Sequence, residues 1–341
     1  MELNGNLYQY VALGTGSINP NLPGVSGGRV IVLSLRRNAD GMVEIRKRTQ
    51  VICDEPVYSL APYGSSSLLY CSGTKLYMIA FNLDTKKLDV IAETKLRSSA
   101  VQISVSEQLI YLSCASDSIL VVKFENNKLV ETFSDEVARN GFHHVKLLQD
   151  LVIATDKQYS IVGLWQPQNK PTLQSLTTIF EADLTSSVSR IRRGICRPPW
   201  VPPTRHLPGV ISGTENVIAA GVDGSFFQLT ILDERGLRLL RFVQKLYREE
   251  TTGAPFAPPE PEPEARDPRT AHVDGDLLAV VVRLGVDWLR RAVGRSEEGR
   301  EYAFEGSEGF QSVAVELLGD KEDVYEATMR YVDELVNDAV L

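Results

Sequence analysis

The chain has 341 residues, of which 43% are hydrophobic and 23% charged, and a formal net charge of -8 at pH 7. That much apolar material supplies a sizeable core and more than one folded unit, which excludes a disordered tail. The acidic balance excludes a surface that binds polyanions throughout, because long-range attraction to phosphate needs excess positive charge on the approaching face; only a local basic patch stays open.

In chain order, the opening "MELNGNLYQY" lacks a basic segment followed by an apolar one. No uninterrupted apolar run anywhere reaches the roughly 18 residues of a membrane span. Paired short apolar runs then begin, loosely at "QYVALGTG" and "GGRVIVLSL" from Gln9. Clearer pairs are "LLYCSGTKLYMIAF" from Leu68, "LIYLSCASDSILVVKF" from Leu109, "LVIATDKQYSIVGLW" from Leu151 and "VIAAGVDGSFFQLTI" from Val217. Leu68 to Leu109 is 41 residues and Leu109 to Leu151 is 42, a period that fits one four-stranded propeller blade of about 40 to 45 residues. The runs are too short for typical helices and apolar at consecutive positions, the pattern of a strand buried on both faces. Stacked blades create that environment, and a β-sandwich is the alternative. Turns such as "RNADGM", "NLDTKK" and "FENNKL" favour tight reversal and lead into weaker outer strands. The expected fold is mainly β, a partial β-propeller with about five visible blades.

Four cysteines, Cys53, Cys71, Cys114 and Cys196, are far apart, with no C-x-x-C pair. They read as buried reduced thiols in a soluble intracellular protein. "GTGSIN" lacks the third glycine and following helix of a dinucleotide loop, so it reads as a strand-end turn. A phosphate-loop lysine motif is absent from the sequence. Adjacent His143 and His144 point to opposite faces of a strand and cannot share one metal; a loop or strand-edge role is expected. Asp117, Asp156 and Asp223 each follow a strand at a polar turn, which accounts for them without catalysis.

The pair from Leu151 to Val217 is stretched by an insertion containing "SRIRRGICRPPWVPPTRHLPG". Its four prolines between Pro198 and Pro203 predict an exposed or partner-covered loop. Arg190, Arg192, Arg193, Arg197 and Arg205, with Trp200, form the candidate interaction surface. Arginine pairs with phosphate and tryptophan stacks on bases, which suits RNA or single-stranded DNA; the same residues anchor protein interfaces, and a solvated loop with no ligand is the third alternative.

After the last strand pair the period changes. Leu239, Phe242, Val243, Leu246 and Tyr247 share one helical face. "TTGAPFAPPEPEPEARDPR" cannot bury a core and predicts an extended connector. Helices are expected over about Gly275 to Arg291, where Gly285 weakens the pattern, and over Phe310 to Leu318 and Lys321 to Val340. The organisation is blades over 1–235, a bracing helix over 236–248, a Pro/Glu-rich linker over 249–270 and a helical domain over 271–341. "DGDLLAVVVRLG" has two acids around a glycine. A calcium loop would need further oxygen ligands at regular spacing, where this stretch supplies Leu and Val. Asp274 or Asp276 is therefore expected to cap a helix.

"VIAAGVDGSFFQLTIL", then "LRLLRFVQKLY", a linker and "HVDGDLL", with "GGRVIVLSL" and "EPVYSLAPYGSSSLLYCSGTKLYMIAF" upstream, resemble the C-terminal region shared by three proteins. These are the large damaged-DNA-binding protein, the largest cleavage-and-polyadenylation specificity subunit (the A subunit) and the large splicing-factor 3b propeller subunit. The similarity runs from about Tyr8 to the C-terminus. It implies the last β-propeller of a three-propeller scaffold and the small helical domain after it, in a divergent member of the fungal ligase-adaptor type. Asp223, Gly224, Asp274, Gly275 and Asp276 match structural positions of the family. The resemblance further implies about seven blades in the complete propeller, so the chain is expected to be a C-terminal fragment or shortened product with an open N-terminal edge. It implies no catalytic residues, cofactor, metal, small-molecule substrate or membrane. The expected function is a non-enzymatic scaffold binding partner proteins in a nuclear complex for DNA-damage ubiquitin ligation or pre-mRNA processing. The alternative is nucleic-acid binding through the arginine segment, and a propeller hydrolase is the reading least supported.

Overall fold

The computed structural model describes residues 2–3, 6–7, 10–18, 25–37, 40–82, 85, 87–148, 150–166, 175–194, 207–211, 216–252, 268–298 and 309–337. The chain divides into two compact units, Met1–Thr178 with Asp183–Arg190, and Ile179–Ala182 with Ile191–Leu341.

The first unit begins with a short hairpin, β1 (Glu2–Leu3) and β2 (Asn6–Leu7). A three-stranded antiparallel sheet follows: β3 (Tyr10–Ile18), β4 (Val25–Arg37) and β5 (Val43–Cys53). Then come three four-stranded meanders. They are β6 (Val57–Tyr63), β7 (Ser67–Ser72), β8 (Lys75–Asn82) and β9 (Lys87–Lys95); β10 (Ala100–Ser106), β11 (Leu109–Cys114), β12 (Ser118–Glu125) and β13 (Lys128–Asp135); and β14 (Gly141–Lys146), β15 (Leu151–Asp156), β16 (Ser160–Trp165) and β17 (Ser175–Asp183), of which Ile179–Ala182 belong to the second unit. The last two meanders join through a short parallel pairing of β13 with β17, Ser134 opposite Ser175 and Asp135 opposite Leu176.

Alternation along the middle strands shows why these sheets stack as blades. Leu69 and Cys71 of β7 enter one core with Leu76, Met78, Ile103, Ile110 and Leu112. Tyr70, between them in sequence, packs on the other side with Val30, Cys53 and Ile79. In the next blade Ile110 and Leu112 face back into the first of these cores, whereas Tyr111 faces forward with Ile119, Val121, Val152, Val162 and Leu164. A side-chain period of two with both faces covered is what a central blade demands. The described sheets thus form a β-propeller of partial extent, as the consecutive apolar runs predict. The 41- and 42-residue intervals are the steps from β7 to β11 to β15.

The second unit has a three-stranded sheet of β18 (Val188–Gly194), β19 (Asn216–Gly221) and β20 (Phe226–Leu229), with the start of β18 belonging to the first unit. Helix α1 (Glu234–Thr252) follows, then a 3-10 turn over Pro268–Thr270 and helices α2 (Gly275–Leu284), α3 (Val286–Glu298), α4 (Phe310–Leu318) and α5 (Val324–Asn337). Leu239, Leu240, Val243 and Leu246 of α1 share one core with Leu278, Val281, Trp288, Leu289, Val293, Phe310, Val313, Leu317, Met329 and Val332. Where one helix is expected from about Gly275 to Arg291, there are two. Gly285 adopts φ 79° and closes α2 by donating its N–H to the carbonyls of Val281 and Val282, a left-handed residue that glycine adopts without steric cost. Asp233 accepts from the Gly236 amide and Asp323 from the Tyr325 and Glu326 amides, so aspartates cap α1 and α5. Among the described residues no helix is long and apolar enough to cross a membrane.

Candidate partner-binding rim

In the first unit, the turns between the second and third strands of each blade lie beside the linkers that lead into the first strands. Main-chain bonds stitch them together. Gly73 donates its N–H to the Pro56 carbonyl (3.1 Å), and the Thr74 carbonyl accepts from Leu96 (2.8 Å). In the next blade Ala115 donates to Ser99 (2.9 Å) and Ser118 to Arg139 (3.0 Å). One blade further, Lys157 donates to Asn140 (3.0 Å), and the Tyr159 carbonyl accepts from Leu184 (2.7 Å). Each turn is thus tied to its own linker and to the following one, forming a rim along one end of the blades.

A buried ion pair supports this rim. Asp135, its side chain 1% exposed, pairs with Arg139, 7% exposed. The carboxylate also accepts from Ser118 Oγ at 2.6 Å and from the Val137 amide at 3.0 Å. A buried charge persists only when paired and hydrogen-bonded, so these contacts fix the 135–139 linker. Val137 and Tyr159 stand out from the same rim, 50% and 54% exposed; Tyr159 holds φ 71°, an uncommon left-handed conformation for an aromatic residue. Nearby, a recess of about 110 Å³ is lined by Lys95, Arg97, Asp117, Leu120, Glu131 and Glu136, among others. Small-molecule sites run to about 300–1,000 Å³, so this recess suits a single side chain of a partner. Nothing in the sequence pattern singled out Asp135, Arg139, Val137 or Tyr159. The available signal was Asp135 and Arg139 spaced four apart in "SDEVARNG", just before a glycine that starts a strand.

The groups with reactive chemistry are occupied elsewhere. His144 lies within β14, its ring nitrogens 2.6 Å from Ser104 Oγ and 2.7 Å from Ser113 Oγ. Its backbone N–H donates to Gln102 Oε1 and its carbonyl accepts from Gln102 Nε2. Burial, with a smaller effect of His143, lowers its pKa to about 3, so the ring is neutral at pH 7 with both nitrogens engaged. His143 is buried too. The expected loop or edge role therefore becomes interior packing on an end strand of its sheet. Cys53, Cys71 and Cys114 are buried and unbridged. Burial pushes the Cys71 thiol up to about 11 and Cys114 to about 12, the opposite of an activated nucleophile; Cys196 lies outside the described residues. Among the described residues no group of three His, Cys, Asp or Glu is placed to hold a metal.

The acids of the helix entry act as caps. Asp274 accepts from the Asp276 and Leu277 amides at 3.0 and 3.3 Å and donates its own amide to buried Gln244 of α1. Gly275 sits in open space. Asp223 accepts from the amide and hydroxyl of Ser225, and Gly224 at φ 89° completes the turn between β19 and β20. Asp156 similarly accepts from the Gln158 and Ser160 amides.

Arg190, Arg192 and Arg193 are exposed on β18. A loop is expected there; the strand forms because Val188 and Ile191 are both about 1% exposed and anchor it before the prolines begin. Arg197, Trp200 and Arg205 lie outside the described residues. The structure thus places three of the six candidate contacts on one strand.

Comparison with known proteins completes the picture. A protein of Schizosaccharomyces pombe (strain 972), described as uncharacterized, is 30% identical over 155 residues, 44% of this chain. The match covers 14% of that relative's length. The family model for the CPSF A subunit region matches residues 1–257. With stacked four-stranded blades, a following helix and that match over most of its length, the chain belongs to the family of the CPSF A subunit region.

Proposed function

We propose that this chain is a non-enzymatic scaffold module that holds partner proteins in a nuclear multi-subunit complex, of the kind that processes pre-mRNA or handles DNA damage through a ubiquitin ligase. Family membership supports an adaptor role, and the stitched rim is the observation that carries the reading. Loops held by main-chain bonds present Val137 and Tyr159 with little ordering entropy left to lose on binding. An exposed aromatic on such a rim has the makeup of an interface anchor, and Val137 lies in sequence between the recess-lining Glu136 and Ala138. Blades over 1–235 carry the presenting loops, and 236–248 with 271–341 form the helical part; residues 253–267 of the expected linker lie outside the described residues. Quantitative co-purification from nuclear extract tests this. Wild type should retain a defined set of proteins, and V137D combined with Y159A should lose it while keeping the wild-type circular dichroism spectrum. An unchanged set would remove the rim from the mechanism.

A second reading rests on Arg190, Arg192 and Arg193, exposed together on β18. It takes RNA or single-stranded DNA as the ligand, with phosphates paired to guanidinium groups. Affinity should fall steeply with added salt and disappear when Arg192 and Arg193 become Glu. Equal binding before and after that change would eliminate this reading.

A further inference from the structure

The recess beside the rim lies between two neighbouring blades. Lys95 and Arg97, at and after the end of β9, stand on one lip; Asp117, in the turn before β12, stands on the other with Glu131 and Glu136, on and after β13. Between the lips the lining is apolar: Leu96, Val122 and Cys114 are 4%, 1% and 2% exposed, and Leu120 packs against the same core. These residues all belong to the first unit.

The charges of this recess are not matched to one another. Among the described residues, the side chains of Asp117, Glu131 and Glu136 make no hydrogen bond or ion pair, and neither do those of Lys95 and Arg97 across the opening. Asp135 lines the recess as well and is already neutralised by Arg139. A second observation comes from Cys114. Cys71, in the preceding blade, donates its thiol to the Gly73 carbonyl at 3.4 Å and accepts from the Ala100 amide at 3.2 Å. The Cys114 thiol has no such partner among the described residues, although it is buried. Burial raises its pKa to about 12, and Asp117, Cys71 and Glu131 add to the rise, whereas no nearby cation offsets it. The inner end of the recess is therefore a place of negative potential between apolar walls, which focus that field.

We propose that the recess receives an arginine side chain from a partner protein, its guanidinium set between the carboxylates of Asp117 and Glu131 and its methylenes lying on Leu96, Leu120 and Val122. A guanidinium offers five N–H donors in a flat fork, enough for carboxylates on two different segments and for the Cys114 sulfur, a weak acceptor. A lysine ammonium is a compact, strongly hydrated charge that gives up more on entering an apolar recess. Lys95 and Arg97 are exposed, and side chains of that length keep their charged ends in water while the stems stay on the lip. The inference rests on the rim reading for its partner protein and deepens it by naming the side chain that partner brings.

Saturation-transfer difference NMR of the full chain with the tripeptide acetyl-Ala-Arg-Ala-amide, at the millimolar concentrations so small a ligand needs, tests it. The expected result is transfer to the arginine methylenes, weaker transfer to the lysine tripeptide and none to the glutamate tripeptide. D117N/E131Q should reduce the arginine signal about fivefold or more, while E322Q/E334Q, which removes two exposed acids of the helical part, leaves it unchanged. The side chains changed at the recess support no other contact, so D117N/E131Q should keep the wild-type circular dichroism spectrum; E131Q alone gives a second readout, a partial loss, should the pair fold poorly. Absence of transfer to the arginine tripeptide overturns the proposal, as does equal transfer to lysine, or a loss of the same size in both double variants. The two readings fail separately: an unchanged co-purified set in V137D with Y159A removes the rim, whereas the tripeptide result concerns the recess alone.

Discussion

His144 gives the sharpest test of how the blades are held together. Its ring is buried between Ser104 and Ser113, and burial lowers its pKa from 6.5 to about 3. In the unfolded chain the imidazole takes up a proton below about pH 6.5, whereas in the folded chain it stays neutral until about pH 3. Stability from this group is therefore fully present above pH 6.5 and lost as the pH falls toward 3, where the loss levels off. The limiting slope is about 1.4 kcal/mol per pH unit. Between pH 7 and pH 5 His144 alone should remove about 2 kcal/mol. Urea unfolding of wild type and H144Q at both pH values isolates the contribution, because groups common to both chains cancel. Wild type should lose about 2 kcal/mol more than the variant over that interval. Equal losses would refute the burial argument and show that the ring is protonated, or reached by water, in the folded protein.

Removing one partner of the ion pair beneath the rim, as in D135A, should cost about 3–5 kcal/mol in urea unfolding by leaving Arg139 buried and uncompensated. D135A/R139A should cost less than the two single changes added together. G141A should lower the thermal midpoint through about 1–3 kcal/mol of overpacking, since an added Cβ would lie 2.5 Å from the Cys114 carbonyl oxygen. D274A should cost about 0.5–2 kcal/mol by removing a helix cap. Chelator should leave the thermal midpoint of wild type and D274A unchanged; a shift in wild type alone would revive a cation at that turn.

The blade repeat was legible because its physics is one-dimensional: a strand covered on both faces must be apolar at consecutive positions, and "LIYLSC" and "LVIATD" are. The helix entry was legible for the same local reason, since an aspartate before an apolar run satisfies free amides wherever the helix ends up. Asp135 and Arg139 were illegible. Their pairing depends on Ser118, 17 residues away, and on a linker closed by the blade behind it. At β18 the prolines beginning at Pro198 masked the strand before them.

The bonds that join the rim turns run mostly between amides and carbonyls, supported by a few side chains such as Ser98, Ser187, Asp135 and Asp156. Their geometry is indifferent to most of the side chains the turns carry. Residues such as Gln158 or Val137 can be exchanged for others without loosening the framework beneath. Specificity for a new companion can therefore drift in a lineage one substitution at a time, at almost no cost in stability.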